Sequence, residues 1–294
     1  MSNNIALTTK YLPILDEVYK VEARSSILDA PAALVQETAD AKEVRIAKIA
    51  LSGAGDYDRT TGFVQGDVTL EWQTHTFTHD RGRTFSVDNM DDQEALGLVA
   101  MNVMSTYLRT KQAPETDAVR FAQYCDAAGA KVTGTLSAAN IKAALRTAIT
   151  TMEEKEVSRD NMILFMTPTV LGYLEDALAR NIPNAEGNID GRVRIWDGIT
   201  IVTVPQTRFN TDITLLDGKT AGQTAGGYTT AGSDINFLLI DRVAVIQIAK
   251  HAKIREFAPD VNQTADAWKF DYRLYHDAWV LENKVDGIYA HTKA

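Results

Sequence analysis

Apolar and polar residues alternate with period two along much of this chain, with stretches of helical spacing set between them. The clearest alternation lies between Glu43 and Val87. Val44 and Ile46 are interleaved with Arg45 and Ala47. After a break marked by Gly53, Gly55, Gly62 and Gly66, Val68, Leu70 and Trp72 are interleaved with Thr69, Glu71 and Gln73. The second strand is expected to run from Val68 to His79, about 40 Å at ~3.3 Å per residue. A two-stranded ribbon of that length is marginal by itself in water and needs a surface to lie on. No other segment offers an obvious cover, so the cover is expected from a neighbouring subunit.

The strongest helical pattern follows. Leu96, Val99, Val103, Met104, Tyr107 and Leu108 form one apolar stripe, Asp88 or Asn89 can cap it, and Asp91, Asp92 and Glu94 suit the positive end of the helix dipole. A helix from Asp91 to Gln112 would be about 33 Å long at 1.5 Å per residue. Pro114 is expected to break or bend the path, and Ala118 to Ala128 reads as a second piece ended by Gly129. Upstream, Leu12, Leu15, Val18 and Tyr19 make one short stripe between polar stretches, too little for a core of its own, and read as an arm.

From residue 134 to 250 helices and strands mix. Ile141, Leu145, Ala148, Ile149 and Met152 define a helix with Ser137 as a candidate cap. Met162 to Met166 reads as a buried strand, and Thr167-Pro168 opens a helix through Leu171, Leu174 and Leu178. Ile199 to Val204 and Asn236 to Ile248, broken near Asp241-Arg242, read as strands. The Gly-, Thr- and Ala-rich stretch from Asp217 to Asp234 reads as a surface loop. In the tail, Trp268, Phe270, Tyr272 and Leu274 alternate with Lys269, Asp271 and Arg273, and Ile288 and Tyr289 follow a turn at Asp286-Gly287. The aromatic alternation reads as core rather than as a base-stacking platform.

Composition narrows the class. The chain has 294 residues, 45% of them hydrophobic and 23% charged, as in ordinary globular proteins. A single cysteine, Cys125, excludes an internal disulfide framework and a Cys-based zinc cluster. No apolar run approaches the roughly 20 residues of a spanning helix, and the first residues carry no secretion signal. The net charge of −9 argues against a dedicated nucleic-acid binder. A soluble protein of a reducing compartment is expected.

The search for chemistry returns little. Nucleophile-elbow, phosphate-loop, zinc-protease and C-x-x-C motifs are absent. Asp56, Asp58 and Thr60 mimic the start of a calcium loop, but Thr61 stands where glycine is required and the flanks read as strands, so a solvated hairpin tip is the better reading. His75 and His79, four apart on a strand, sit about 13 Å apart and cannot share an ion. Cys125, beside Asp126, reads as a packing residue. His251, Lys253 and Arg255 place a positive stripe on one strand face, suited to an acidic neighbour, to phosphate, or to plain solvation.

The order of parts and several motifs resemble a known family. Lys253-Ile254-Arg255-Glu256-Phe257-Ala258-Pro259, Trp268 to Asp277, and Glu282 to Ala290 carry the closest likeness. Asp197 to Pro205 and Pro114 to Phe121 add to it. The chain resembles the major capsid proteins of tailed phages, with the Hong Kong 97-type shell fold. The resemblance implies an α+β fold with residues 1–41 as N-terminal arm, 42–88 as extended β-ribbon loop and 89–133 as peripheral domain with a long spine helix. Residues 134–250 would form the axial α/β domain, and 251–294 the returning peripheral-domain strands and C-terminus.

It also implies no enzyme activity and no cofactor or metal. The expected role is self-assembly as hexamers and pentamers into an icosahedral head around double-stranded DNA, in a virion assembled in the host bacterial cytoplasm, with no membrane and no sequence-specific DNA contact. Some members carry an N-terminal scaffolding region that a protease removes; here the arm starts near the first residue, which implies a separate scaffolding protein or the mature form. A portal protein and, in some shells, a decoration protein complete the expected partners. Isopeptide cross-links occur in some members, and no Lys–Asn–acid set is assigned here. The interface candidates are Trp72, His75, Phe77, His79 and Arg81 on the ribbon, and His251, Lys253 and Arg255 on the basic strand. Two alternatives stand beside this reading: an encapsulin-like nanocompartment shell, and a cytoplasmic hydrolase using scattered Asp and His residues.

Overall fold

The computed structural model describes residues 23–29, 36–37, 43–94, 98–178 and 193–294. The arm stripe from Leu12 to Tyr19 lies outside them. Strands β1 (Gln36–Glu37), β2 (Glu43–Leu51) and β3 (Val68–Thr76) form an antiparallel sheet that is in essence the expected ribbon. Its second strand is shorter than expected. It stops at Thr76 because Phe77 turns into the core, and the chain restarts as β4 (His79–Asp88) in a different sheet.

Asp88 caps the next helix, accepting the Met90 N–H at 2.9 Å. Helix α1 (Asn89–Glu94) and helix α2 (Leu98–Tyr107) follow; Leu96 and the side chain of Val99 lie outside what is described. Pro114 does not break the path. A π-helical turn at Leu108–Gln112 leads straight into α3 (Ala113–Asp126), where Pro114 occupies the first turn. Proline has no N–H and its ring collides with the carbonyl four residues back, and a locally wider turn accommodates both without ending the helix. The helix stops short of Gly129, which is needed for another reason: a Cβ there would lie 2.6 Å from the Val285 carbonyl oxygen.

A seven-stranded sheet forms the centre. It comprises β5 (Ala130–Thr133), β6 (Met162–Met166), β7 (Ile195–Trp196), β8 (Ile199–Thr203), β9 (Asn210–Leu215), β10 (Tyr228–Asp241) and β13 (Ile288–Thr292). The order is β5-β13-β10-β6-β8-β7, with β9 on the outer half of β10. Helices α4 (Ile141–Glu153) and α5 (Pro168–Ala177) cover one face through Leu145, Ile149, Met152 and Leu174. Helix α3 covers the other through Phe121, Tyr124 and Cys125. Strand β6, buried at all five positions, is apolar throughout because both of its faces are covered. Thr167 caps α5 as expected, accepting from the Val170 N–H at 3.3 Å; Ser137 does not cap α4, which starts after Asn140.

The remaining antiparallel sheet orders β11 (Val245–Phe257), β12 (Ala267–Val280) and β4. Phe270, Tyr272 and Leu274 on its inner face pack on Met104, with Val103, Tyr107 and Leu108 around them, so the aromatic alternation is core. Two expectations need correcting. The stretch Asp217 to Asp234 is a loop only as far as Gly227; Tyr228 onward is strand, paired to β9, where backbone hydrogen bonding rather than apolar burial holds the exposed residues. The closing strand β13 does not return to the sheet of β12 but lies between β10 and β5 in the central sheet, drawn there by the burial of Ile288, Tyr289 and Ala290.

Candidate assembly surfaces

The register of the hairpin sorts its side chains by face. Val44 opposite His75 and Ile46 opposite Gln73 belong to one face; Ile49 opposite Leu70 and Leu51 opposite Val68, with Trp72, belong to the other. Near the root the first face is packed: Val44 and Ile46 are buried with Phe77 and Ile246. Among the described residues the second face has no such cover. Ile49, Leu51, Val68 and Leu70 are 54–72% exposed and Trp72 is 49% exposed. At the tip, Asp58 and Gly62 exchange two backbone hydrogen bonds, Gly62 takes a φ of +84°, and the Asp58 carboxylate accepts the Thr60 N–H. This turn presents Tyr57 and Phe63 with ring centroids 4.7 Å apart, both rings exposed. The tip is therefore a solvated hairpin turn, as expected, and it carries two aromatic rings.

The other ribbon candidates are engaged within the chain. Phe77 is 4% exposed, between the rings of Tyr275 and Trp279, each 5.0 Å away, so it is core and not an interface residue. The His75 ring is half-buried 5.4 Å from Trp279, and burial pushes its pKa down. His79 stacks on His276 at 5.7 Å, with Nδ1 3.0 Å from the Thr78 hydroxyl and 3.4 Å from Asp277. Arg81 forks onto Glu115 of α3 at 2.6 and 3.2 Å and donates to the Gly227 carbonyl at 3.1 Å. It ties β4 to α3 and to the start of β10. Of the five, Trp72 alone stands on an open face.

The basic strand keeps two exposed cations. Lys253 lies opposite Arg273, and Arg255 opposite Asp271. The like-charged pair is relieved because Asp80 takes Arg273 through two N–H groups, at 2.9 and 2.5 Å. Asp271 accepts the Thr84 hydroxyl at 2.8 Å and lies 3.6 Å from Lys269 Nζ. His251 takes its place in β11 opposite Tyr275; its side chain lies outside the described ones.

Two buried carboxylates escaped the sequence reading. Asp117 of α3, with no exposed surface, accepts the backbone N–H groups of Arg24 and Ser25, the Ser25 hydroxyl, and Nη1 of the buried Arg208 at 3.0 Å. It fastens the segment at Arg24 and Ser25 to α3. Asp277 accepts from Thr78 and from Gln123 Nε2, at 2.7 Å. Burial alone would raise its pKa, but hydrogen bonds from His79, Gln123 and Thr78 outweigh it and hold the carboxyl well below its usual range. The only local signals were an acidic residue inside a helical stripe and one inside a strand, which are normally solvated. Cys125 is buried, and burial lifts its thiol to about 11, so it packs and does not react.

No protein-family model matches this chain, and no curated relative does either. Solved structures do match. The fold is similar to the capsid structure of the Cyanophage P-SCSP1u over 98% of this chain and 93% of that one, with a TM-score of 0.69 and 14% identity. It is similar to the mature capsid of bacteriophage PhiM1 over 98% and 92%, with a TM-score of 0.67 and 14% identity. A chain of Mycobacterium phage Che8 matches over 99% and 98%, with a TM-score of 0.63 and 12% identity. The architecture is thus α+β, and the fold is that of phage capsid proteins, the Hong Kong 97-like shell fold.

Proposed function

We propose that this chain is a major capsid protein, a structural protein and not an enzyme, that assembles as hexamers and pentamers into an icosahedral head enclosing double-stranded DNA. The observation that carries the reading is the uncovered apolar face of the hairpin, Ile49, Leu51, Val68, Leu70 and Trp72, on a fold similar to phage capsid structures. Contiguous exposed apolar surface of this kind marks a contact site. A hairpin that projects from its own subunit and fits a different patch on the next copy makes a head-to-tail contact, which closes into rings. Repetition around the ring and across the shell supports many individually weak contacts.

In this reading residues 42–88 lie over one neighbour and the arm, residues 1–41, runs against another. Residues 89–133 supply the spine, 134–250 surround the capsomer axis, and Lys253 and Arg255 meet acidic surface on an adjacent copy. The partners are further copies of the chain, a separate scaffolding protein and a portal protein, with a decoration protein in some shells. The setting is the virion, built in the host bacterial cytoplasm. Light scattering followed by electron micrographs of the expressed protein tests it. Capsomers or closed particles in the megadalton range are expected, and a small discrete oligomer overturns it. Particles that enclose protein in place of DNA would move the reading to a nanocompartment.

A further inference from the structure

Arg120, Gln123 and Tyr124, spaced i, i+3 and i+4 along α3, meet Gln247 of β11 and His276 of β12 in one polar seam. Gln247 lies opposite Ala278 and Ala249 opposite His276, so the glutamine and the histidine share a face of the sheet. The segment at Ser25 closes the seam. Arg120 Nη1 donates to the Ser25 hydroxyl at 2.9 Å, and Gln247 Nε2 donates to the Ser25 carbonyl at 3.2 Å. Burial here is nearly complete: Tyr124 is 0% exposed, His276 1%, Gln247 6% and Arg120 8%.

Six polar atoms around this seam have no hydrogen-bond partner among the described residues. They are Arg120 Nε, Gln123 Oε1, Tyr124 Oη, Gln247 Oε1 and both ring nitrogens of His276. A buried polar atom is normally paired, because stripping it of water without a replacement is costly. One such atom is unremarkable, whereas six on three packed elements point to a shared ligand.

We propose that the seam is a binding site for a small cluster of water molecules, a fixed internal ligand that joins the Ser25 segment, α3 and the β11–β12 pair.

The chemistry of the six atoms selects water over an ion. The amide orientations are set by their partners. Gln123 Nε2 donates to Asp277 Oδ1 at 2.7 Å and Gln247 Nε2 donates to a carbonyl, so the two amide oxygens are the atoms left over, and both are acceptors. Arg120 Nε is a donor. Burial pushes the Tyr124 hydroxyl up, against the lowering effects of Arg120 and Gln247, and burial with Arg120 pushes His276 down to about 4. Both rings are therefore neutral at neutral pH, and each offers a donor and an acceptor. A cation in the seam would stand beside the Arg120 guanidinium, and an anion would face the oxygens of Gln123 and Gln247. Water donates and accepts, and so satisfies both kinds. A buried water makes about three hydrogen bonds, so about two molecules pair all six atoms. The short side chains of Ala249 and Ala278 stand between the two polar residues on the sheet, where a small ligand is not crowded.

Brief X-ray radiolysis of the purified full chain, read by peptide mass spectrometry, tests this. Radiolysis of a bound water yields a hydroxyl radical in place, which oxidises the side chains touching it however deeply they are buried. Each rate is divided by that of the same residue in the urea-unfolded chain, which removes differences in intrinsic reactivity. Phe121 and Phe209 serve as dry references: both are 0% exposed, and their rings pack on each other at 5.2 Å. Tyr124 is expected to be oxidised at least about fivefold faster than either, with His276 raised as well. A Tyr124 rate no higher than the two phenylalanines overturns the proposal. So does an equal rise at all three, which is the mark of local opening to bulk solvent. The measurement needs no variant and no particle, so its failure leaves the capsid reading standing.

Discussion

Asp277 holds Thr78 twice, its Oδ2 accepting the backbone N–H at 2.9 Å and the side-chain hydroxyl at 2.8 Å, across 199 residues of sequence. The contact sits where β4 begins against β12, so one carboxylate closes this edge of the sheet and holds the link from the hairpin. Hydrogen bonds to a charged acceptor are each worth about 1.5–3 kcal/mol net. Asp277→Asn keeps the shape but places an amide NH2 where an acceptor is needed. It is expected to lower the stability of the unassembled subunit by about 2 kcal/mol in urea unfolding, whereas Thr84→Val, at an exposed threonine, should change it by less than about 0.5 kcal/mol.

Asp117 is the larger risk. Its removal takes from Arg208, 2% exposed, the buried carboxylate that accepts its Nη1 at 3.0 Å, and also frees the turn at Ser25. Breaking a buried pair on one side typically costs about 3–5 kcal/mol. Asp117→Ala is expected to be insoluble or destabilised by that amount. The double variant Asp117→Asn/Arg208→Met, which removes both charges, is expected to recover a large part of the loss. A double variant no more stable than the single one would contradict this account.

The hairpin face separates assembly from folding. Leu70 and Trp72 are half-exposed in the isolated subunit, so Leu70→Glu/Trp72→Glu should leave its melting curve within about 0.5 kcal/mol of the parent. Burial of each apolar side chain on a neighbour is worth about 1.5–3 kcal/mol. Repeated at every interface, the double change is expected to abolish closed particles in sedimentation and micrographs. Deletion of the tip, Gly53 to Gly66, should act in the same direction. Particles of parental size from either variant would remove the hairpin from the assembly contacts.

Stability should fall on acidification through His276. Its folded-state pKa, about 4, lies below the value near 6.5 of an unfolded histidine. Between those values the unfolded chain binds a proton that the folded chain excludes. The contribution is therefore fully present above about pH 6.5, is lost progressively as pH falls toward 4, and levels off below that. The loss amounts to about 3 kcal/mol. Asp277, with its carboxyl held low, acts in the same direction at still lower pH. Urea midpoints measured at several pH values should show this slope, and His276→Gln should flatten it.

Much of the architecture was legible in the chain because local pattern and final burial coincide there. Val44 and Ile46, the stripe Ile141–Met152, the apolar run Met162–Met166 and the alternation Trp268–Leu274 were readable as strand or helix, and as core. The exposed alternation Val68–Leu70–Trp72 was readable as a face in need of a partner. The polar corner was not legible, because Thr78, Gln123 and Asp277 are ordinary surface residue types that meet only after three distant elements pack.

Periodicity, turn residues and caps act within a few residues, so the sequence by itself determined most element types, the apolar faces, and the ribbon whose outer face the described residues leave exposed. Tertiary structure alone decided which sheet each strand joins. Strand β3 ends at Thr76 because Phe77 finds a pocket between Tyr275 and Trp279, and β13 crosses to the central sheet because β10 and β5 leave a gap of the right register there. Strand pairing and buried charge pairing are long-range. Their energy depends on partners about 90 to 200 residues away, as in Asp117 with Arg208 and Asp277 with Thr78, and no local pattern encodes which partner that will be.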